Sequence, residues 1–218
     1  MRLWSKSFAD GGSIPAEFAF AALGQGQLQP AWSGNRNPHL AWSEVPAGTE
    51  SLVLLCIDGD APTDGRDVNQ PGRTLPFELP RGDFFHWSLI DIPLGLKSIE
   101  EGAFSRAVTP HGKPGPDVVL SEGGQSIPLR QGVNDYTGWF AGDPAMAGDY
   151  YGYDGPCPPW NDLRLHHYIF RIYALDLPRL PLEGRFSCAD VCAAIHGHII
   201  DEAQVIGTYT LNPPLAPR

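Results

Sequence analysis

Positive charge is scarce in this chain of 218 residues, which has 15 Lys and Arg against 25 Asp and Glu and a formal net charge of -10. A protein that binds nucleic acid needs a stripe of Lys and Arg to neutralise phosphates, and the basic residues here are scattered. No run of about 18 apolar residues, which a membrane-spanning helix would require, is present. The first eight residues also lack the apolar segment of a secretory signal. We therefore expect no nucleic-acid partner, no membrane span and a cytoplasmic location.

Cysteine is also scarce, and the spacing of the four cysteines matches no zinc-binding pattern. We interpret all four as free thiols in a reducing compartment. The Gly-x-Ser-x-Gly motif of a serine hydrolase is missing, and so is a glycine-rich phosphate loop followed by a helix. The sequence therefore leads us to assign no metal, no cofactor and no catalytic residue.

Glycine and proline, by contrast, are abundant, with 25 and 22 residues scattered along the chain. Such residues produce many turns and argue against a helical bundle. Between the turns, four apolar or alternating segments have the length and composition of β-strands: residues 51–57, 84–92, 167–175 and 204–211. The first is apolar throughout, so we expect it at the centre of a sheet.

One helix is predicted near the C-terminus. Ser187 is a good N-cap with Asp190 three residues later, and the apolar pattern that follows reaches Ile199, so we expect a helix of about 12 to 15 residues. Two long segments, 63–83 and 103–151, are predicted to be irregular and to form the rim of a cavity. We expect a single domain over residues 1–218: a mainly β sandwich of antiparallel sheets with this C-terminal helix.

The first strand leads into the segment 57–62, Ile-Asp-Gly-Asp-Ala-Pro. If the strand continues, Asp58 and Asp60 face the same side, and two carboxylates so close must share a proton or be held by donors. The same residues, Asp-Gly-Asp followed by Ala-Pro, are also typical of a simple turn. Because the segment ends a fully apolar strand, we interpret it as the edge of a cleft.

Three histidines, His86, His166 and His167, lie at or near the start of predicted strands. His86 lies between two aromatic residues, a position where a histidine often belongs to the core. His166 and His167 are adjacent, so on a strand they face opposite sides and only one can share a pocket. Together with Asp and Tyr they suit either a divalent metal or a phosphate. The absence of a His-x-His or Glu-x-x-His unit argues against the metal.

A proline-rich loop, residues 155–159 (Gly-Pro-Cys-Pro-Pro), precedes the adjacent histidines. Three prolines remove the donors that a central strand requires, so we expect a fixed, extended loop. Such a loop either presents the peptide N–H of Cys157 to an anion or is a rigid surface crossover.

These motifs in combination resemble the phosphatidylethanolamine-binding protein family (PEBP), in particular its bacterial Raf-kinase-inhibitor-like branch. The resemblance rests on Asp-x-Asp-Ala-Pro, on the aromatic-His-Trp segment 85–87, on Gly-x-x-Gly-Pro-x-Pro-Pro at 152–159 and on His-His-Tyr-x-Phe at 166–170. It covers about residues 35 to 211.

The resemblance implies a sandwich of two antiparallel sheets with a small cavity for phosphate-like anions. In this reading Asp58 and Asp60 orient His86, while His86, Tyr168 and the backbone at Cys157 donate to the ligand. The full ligand-binding set implied is Asp58, Asp60, His86, Cys157, Pro158, Pro159, His166 and Tyr168.

Two features of the chain depart from the family pattern. Gly59 stands where the family usually has proline, so the bend there lacks its usual constraint. The segment 63–83 is longer than in short family members, and we expect it to cover the cavity mouth or to serve a partner. From the family we also predict that the Ala61–Pro62 bond is cis.

The leading interpretation is a cytosolic binding protein with a small pocket for phosphate or a phosphoryl headgroup. One alternative is an inhibitor or regulator of a kinase or protease that acts through its loops. Another is a small hydrolase that uses an Asp–His pair as general base. The aromatic residues between 139 and 153 either line the pocket mouth or form an interface, which would allow a homodimer.

Overall fold

The structure is a computed structural model that describes residues 1–24 and 29–215. Its strands are β1 (Arg2–Trp4), β2 (Ala21–Ala22), β3 (Ala31–Trp32), β4 (Leu40–Ser43), β5 (Ser51–Pro62), β6 (Arg81–Ile92), β7 (Ser98–Ile99), β8 (Gly112–Lys113), β9 (Asp117–Glu122), β10 (Gln125–Gln131), β11 (Asp149–Tyr150), β12 (His166–Leu175) and β13 (Ile199–Tyr209). The α-helices are α1 (Tyr136–Trp139) and α2 (Cys188–Ile195), and 3-10 turns occupy Ala16–Phe18 and Pro213–Leu215.

A six-stranded antiparallel sheet forms one layer of the fold, with its strands in the order β13-β12-β5-β6-β10-β9. The prediction that residues 51–57 form a central strand is confirmed, because β5 lies between β12 and β6. A second antiparallel sheet, β1-β4-β7, packs on one face of the first. The main core between the sheets contains Leu3, Trp42, Leu54, Trp87, Ile99 and Phe170. The fold is therefore the antiparallel sandwich that the sequence predicts.

The opposite face of the large sheet is covered as well, by α2 and the segment before it. Val53 and Leu55 of β5 face this side, whereas Leu52 and Leu54 face the main core. Because residues 52–56 of β5 are buried on both faces, they are apolar at every position instead of alternating. The second core also contains Leu180, Phe186, Val191 and Ile195.

Helix α2 begins where the sequence predicts but is shorter. Ser187 and Asp190 form a reciprocal capping box, in which each side chain accepts from the other residue's N–H. The helix has eight residues, because His196 is extended, Gly197 has a φ of +86° and β13 begins at Ile199. No helix in the described part of the chain is long and apolar enough to cross a membrane.

The expectation that 103–151 is irregular is wrong. β9 and β10 form a hairpin in this segment and extend one edge of the large sheet. Their turn is Gly123-Gly124, both with positive φ (56° and 79°), which is the chemistry that a two-residue hairpin turn requires. Proline is rare inside strands, and Pro128 within β10 obscured the pattern.

The predicted cis bond at Ala61–Pro62 is also wrong. β5 continues through both residues, which pair with Gly82 and Arg81 of β6, and this pairing keeps the backbone extended and the peptide trans. The cis peptide bond found among the described residues joins Gly115 to Pro116.

Candidate functional site

A cavity of about 530 Å³ opens where the end of β5, the first half of β6 and the start of β12 lie side by side. The antiparallel pairing brings these three strand segments to the same end of the sheet, although they are far apart in sequence. Of the eight predicted site residues, those that line the cavity are Asp58, His86, Cys157, Pro158, Pro159, His166 and Tyr168.

Strand alternation produces the polar floor of this cavity. On β5, Leu54 and Cys56 face the main core, and Asp58 is the next residue on the same side. On β12, Phe170 faces that core and Tyr168 precedes it at the same spacing. The apolar core face therefore continues into the floor without a change of strand geometry.

His86 lies at an irregularity of β6, where the register shifts between Cys56 and Ile57 of the neighbouring strand. Such a bulge redirects a side chain. The Nδ1 of His86 is 2.7 Å from the carbonyl oxygen of Asp154, so Nδ1–H donates there. Burial lowers the pKa of His86, against the opposing charge of Asp58. His86 is therefore neutral at pH 7 and carries no proton on Nε2.

His166 occupies the centre of a buried ionic network. Its Nδ1–H donates to Asp58 Oδ2 at 2.7 Å, and its Nε2–H donates to Asp162 Oδ2 at 3.1 Å. Asp162 also pairs with the buried guanidinium of Arg81, whose Nη2 is 2.9 Å from Oδ1. Sequence reasoning missed Asp162 and Arg81. Asp162 lies only four residues before His166, but it joins the network through a loop whose path the sequence did not reveal.

The network changes the pKa values of its members. Burial alone would lower the pKa of His166, but hydrogen bonds to Asp162 and Asp58 overcome it and raise the pKa to about 9. Burial would raise the pKa of Asp162, but donors from His166 and Arg81 hold it at about 2. His166 is thus an imidazolium ion whose two N–H groups are both used. It has no free nitrogen to act as general base, as a hydrolase with an Asp–His pair would require.

Asp60 is the predicted site residue that does not line the cavity. Its carboxylate accepts from Arg164 Nη1 at 3.0 Å and from His167 Nδ1 at 2.8 Å. The expectation that Asp58 and Asp60 share a face fails because the pairing of β5 with β6 shifts between Asp58 and Ala61. Burial would raise the pKa of Asp60, but hydrogen bonds from His167 and Arg164 lower it. Each of the two carboxylates is therefore stabilised by its own hydrogen-bond donors, and the two do not share a proton.

Tyr168 presents a buried hydroxyl in the floor of the cavity. Its side chain is fully buried, and its Oη has no hydrogen-bond partner among the described residues. Burial, the neighbouring charge of Asp58 and an interaction of the hydroxyl with the Asp58 carboxylate raise the pKa of Tyr168 well above its usual value. The hydroxyl is therefore a protonated donor that lies near Asp58 but makes no well-formed hydrogen bond to it.

The loop 155–159 is fixed from several sides, as the sequence predicts. Gly155 approaches the carbonyl of Phe18 so closely that a Cβ would lie 2.1 Å from its oxygen. The Tyr136 hydroxyl donates to the Gly155 carbonyl at 2.8 Å. Burial raises the pKa of Cys157 to about 12, so its thiol remains protonated. The N–H of Cys157 has no acceptor in the described ranges 1–24 and 29–215.

Asp154 is a second residue that sequence reasoning missed, and it replaces Asp58 in the expected role of orienting His86. Its carbonyl accepts from His86, and its N–H donates to the His86 carbonyl at 3.1 Å. The buried carboxylate accepts from Asn35 Nδ2 (2.7 Å) and Asn134 Nδ2 (2.8 Å), and lies 3.0 Å from Lys113 Nζ. The position of Asp154 directly before the proline-rich loop is the sequence signal that could have identified it.

Aromatic side chains form the upper wall. Trp139 and Phe140 line the cavity, which favours the pocket-mouth alternative for the aromatic residues of 139–153. Tyr150, Tyr151 and Tyr153 are buried, so they provide no surface for the homodimer that was the other alternative.

The long segment 63–83 contributes to the wall through Val68, Asn69 and Pro71. The Oδ1 of Asn69 accepts from the N–H of Trp160 at 2.9 Å, which ties this segment to the cavity rim. Nowhere in the described residues do three or more His, Cys, Asp or Glu side chains group in a way that could hold a metal ion.

The fold and this cavity place the chain in a known class. The family model of phosphatidylethanolamine-binding proteins matches residues 4–210, and the chain belongs to that family. It is a PEBP-family binding protein of the UPF0098 type.

The relatives that support this assignment cover nearly the whole chain. The UPF0098 protein YbhB of Escherichia coli is 28% identical over 210 residues, which are 96% of this chain and 100% of YbhB. A UPF0098 protein of Methanothermobacter thermautotrophicus is 31% identical over 96% of this chain and 98% of its own. The crystal structure of E. coli YbcL, described as a new member of the mammalian PEBP family, superposes with a TM-score of 0.65 at 25% identity. It covers 96% of this chain and 97% of YbcL.

Proposed function

We propose that the cavity binds a small anion and that a phosphoryl headgroup lies on its floor, against Tyr168 and His86. The observation that carries this proposal is the buried Tyr168 hydroxyl, which has no partner among the described residues. An unpaired buried polar group costs about 1–3 kcal/mol, and a ligand oxygen would recover this cost. The N–H of Cys157 in the fixed loop, which has no acceptor among the described residues, supports a second contact to the same headgroup.

The charges of the floor select one protonation state of the headgroup. The Asp58 carboxylate is paired with the His166 imidazolium, and His86 is neutral, so the floor offers no excess positive charge. Asp58 and the Nε2 of His86 are acceptors, whereas Tyr168 is a donor. A phosphoryl group that carries one proton satisfies both kinds of partner, and the second pKa of phosphomonoesters is about 6.

The protein would thus act as a binding protein and not as an enzyme. The His166 nitrogens are fully engaged and the Cys157 thiol is protonated, so neither serves as general base or nucleophile. The unprotonated Nε2 of His86 is then an acceptor for the ligand, with no activated nucleophile beside it among the described residues. The four cysteines carry free thiols, which supports the cytoplasm as the proposed location.

Calorimetric titration with inorganic phosphate and with O-phosphorylethanolamine tests the proposal. We expect saturable binding that is lost in His86→Ala and weakened about tenfold in Tyr168→Phe, the value of one hydrogen bond to a charged group. The Tyr168→Phe variant should not lower the melting temperature of the ligand-free protein, because the Tyr168 hydroxyl has no hydrogen-bond partner among the described residues. His167→Ala is the control, since this histidine lies outside the cavity.

The pH dependence gives an independent check. Falling pH adds a proton to the headgroup, whose second pKa is about 6, while His86, with its lowered pKa, remains an acceptor. The affinity should therefore rise between pH 8 and pH 5.5, and a constant affinity over this range would contradict the pairing of a protonated headgroup with His86. If neither ligand produces heat, the anion pocket is disproved and regulation through the loops becomes the better interpretation.

A further inference from the structure

The cavity is much larger than its polar floor requires. Its volume of about 530 Å³ falls within the range of about 300–1,000 Å³ that is typical of sites for drug-sized molecules. A bare phosphate would leave most of this space to water against apolar side chains. The remainder of the cavity therefore indicates a ligand body attached to the headgroup, and the composition of the walls indicates what kind.

The walls are aromatic and not aliphatic. Apart from five prolines, Val68 and Leu211 are the aliphatic side chains larger than alanine among the described residues that line the cavity. The aromatic side chains that line it are Phe20, Trp32, Phe84, Tyr136, Trp139, Phe140, Trp160 and Tyr168. They come from β3, β6, β12, α1 and the connecting loops, so the folded chain gathers them from distant positions.

Some of these rings already stack on one another. Phe20 lies against Tyr136 with centroids 4.6 Å apart at 15°, and Tyr136 lies against Phe140 at 5.5 Å and 16°. These rings form the fixed part of the wall, because each already packs against another ring.

Three tryptophans differ from that group. Trp32, Trp139 and Trp160 stack on no other ring within residues 1–24 and 29–215. Trp32 is 60% exposed and Trp139 is 52% exposed, although large aromatic side chains usually bury most of their surface. They therefore offer unused ring faces at the cavity.

Other ligand bodies fit these walls less well. A sugar would need many hydrogen-bonding groups, but Gln29 and Asn69 are the amide side chains among the described wall residues. The Asn69 Oδ1 already accepts from the N–H of Trp160. An organic cation can also lie against tryptophan faces, but Asp58, the carboxylate that lines the cavity, is already paired with His166 and would not add to its binding. O-phosphorylethanolamine tests this alternative, because an ammonium body would make it bind more tightly than phenyl phosphate. An acyl chain gains from burial alone and derives no benefit from free ring faces.

From these observations we infer that the ligand is an aryl phosphate: a phosphoryl headgroup on the floor, joined to an aromatic ring that contacts the free tryptophan faces. This inference rests on the proposed anion pocket and adds the class of the ligand body. Aromatic pairs contribute about 0.5–1.5 kcal/mol beyond burial of their area, which corresponds to about a 2- to 12-fold gain in affinity.

The test compares phenyl phosphate with cyclohexyl phosphate, which has the same number of carbons but no aromatic face, and with inorganic phosphate. Calorimetry should give phenyl phosphate the highest affinity, at least about tenfold above inorganic phosphate and about 2- to 12-fold above cyclohexyl phosphate. Trp139→Leu should bring the ratio of phenyl to cyclohexyl affinity close to one. Trp4→Leu is the matched control, because Trp4 is 41% exposed and lies outside the cavity.

Each contrary result has a separate meaning. Equal affinities for phenyl and cyclohexyl phosphate, or a ratio that Trp139→Leu and Trp32→Leu leave as it is, would overturn the aromatic body while phosphate binding upholds the anion pocket. Absence of binding by all three compounds would overturn the anion pocket and the inference with it. Thermal melts followed by circular dichroism verify that both tryptophan variants are folded. If Trp139→Leu does not fold, Trp32→Leu replaces it in the comparison.

Discussion

Replacing His166 by glutamine removes the imidazolium ion that lies between the carboxylates of Asp58 and Asp162. In the folded protein the pKa of His166 is about 9, against about 6.5 for an unperturbed histidine. Each pKa unit between folded and unfolded states corresponds to about 1.4 kcal/mol. The protonation of His166 therefore contributes about 3 kcal/mol to the free energy of unfolding.

The sign of the pH dependence follows from the direction of this pKa change. A group whose pKa is raised by folding stabilises fully below its unfolded pKa, so the contribution of His166 is complete below about pH 6.5. It is lost as the pH rises through about 9. At acid pH the stability depends on Asp162, whose pKa is lowered to about 2. The contribution of Asp162 to the free energy of unfolding is lost only as the pH falls from about 4 through 2.

Urea unfolding of wild type and His166→Gln at pH 6 and pH 9.5 measures this contribution. The difference in unfolding free energy between the two proteins should be about 3 kcal/mol larger at pH 6 than at pH 9.5. Thiols and other groups that titrate near pH 9 affect both proteins and cancel in the comparison. His167→Gln is the control, because His167 is 51% exposed and pairs with Asp60 instead.

The reasoning is refuted if the difference between wild type and His166→Gln is the same at both pH values. Should the variant fail to fold at pH 6, NMR titration of the His166 ring in the wild-type protein gives the same answer. A midpoint near 6.5 for that ring would be incompatible with an imidazolium held by two carboxylates.

Three further predictions concern the surroundings of the site. Lys113→Met leaves the buried carboxylate of Asp154 without its ion-pair partner, and should lower the unfolding free energy by about 3–5 kcal/mol in urea titrations; a loss below about 1 kcal/mol would show that the pair is not buried. Gly155→Ala places a Cβ 2.1 Å from a carbonyl oxygen and should lower the melting temperature sharply, whereas Gly138→Ala meets nothing within 4 Å and should not. Cys157, with a pKa of about 12, should react slowly with iodoacetamide at pH 7.5 in the native protein, and rapid labelling seen by mass spectrometry would disprove its burial.

Much of the scaffold could be predicted because it depends on neighbouring residues. The apolar run from Ser51 to Ile57 predicts a strand buried on both faces, and β5 is such a strand. The alternation of strand side chains correctly separates His166, buried at 1% exposure, from the exposed His167. The family motifs, read in order, correctly predict family membership.

The wrong predictions arise where a local sequence pattern is compatible with two different structures. The apolar positions after Ser187 suit a long helix, but Gly197 ends it early and the remaining residues begin β13. Proline hid the β9–β10 hairpin, although its Gly-Gly turn was visible in the sequence. Gly59 and Asp60 continued a strand as expected, but a register shift turned the Asp60 side chain away from Asp58.

The sequence by itself therefore determined the strands, the start of the helix and the group of residues near the cavity, because these follow from side-chain period and turn chemistry within a few positions. Only the tertiary structure decided which partners those residues have. Asp58 and His166 are 108 residues apart and His86 and Asp154 are 68 apart, so their hydrogen bonds depend on how the strands and loops pack. That packing makes His166 a charged, fully engaged group, keeps His86 neutral and leaves the Tyr168 hydroxyl without a hydrogen-bond partner among the described residues.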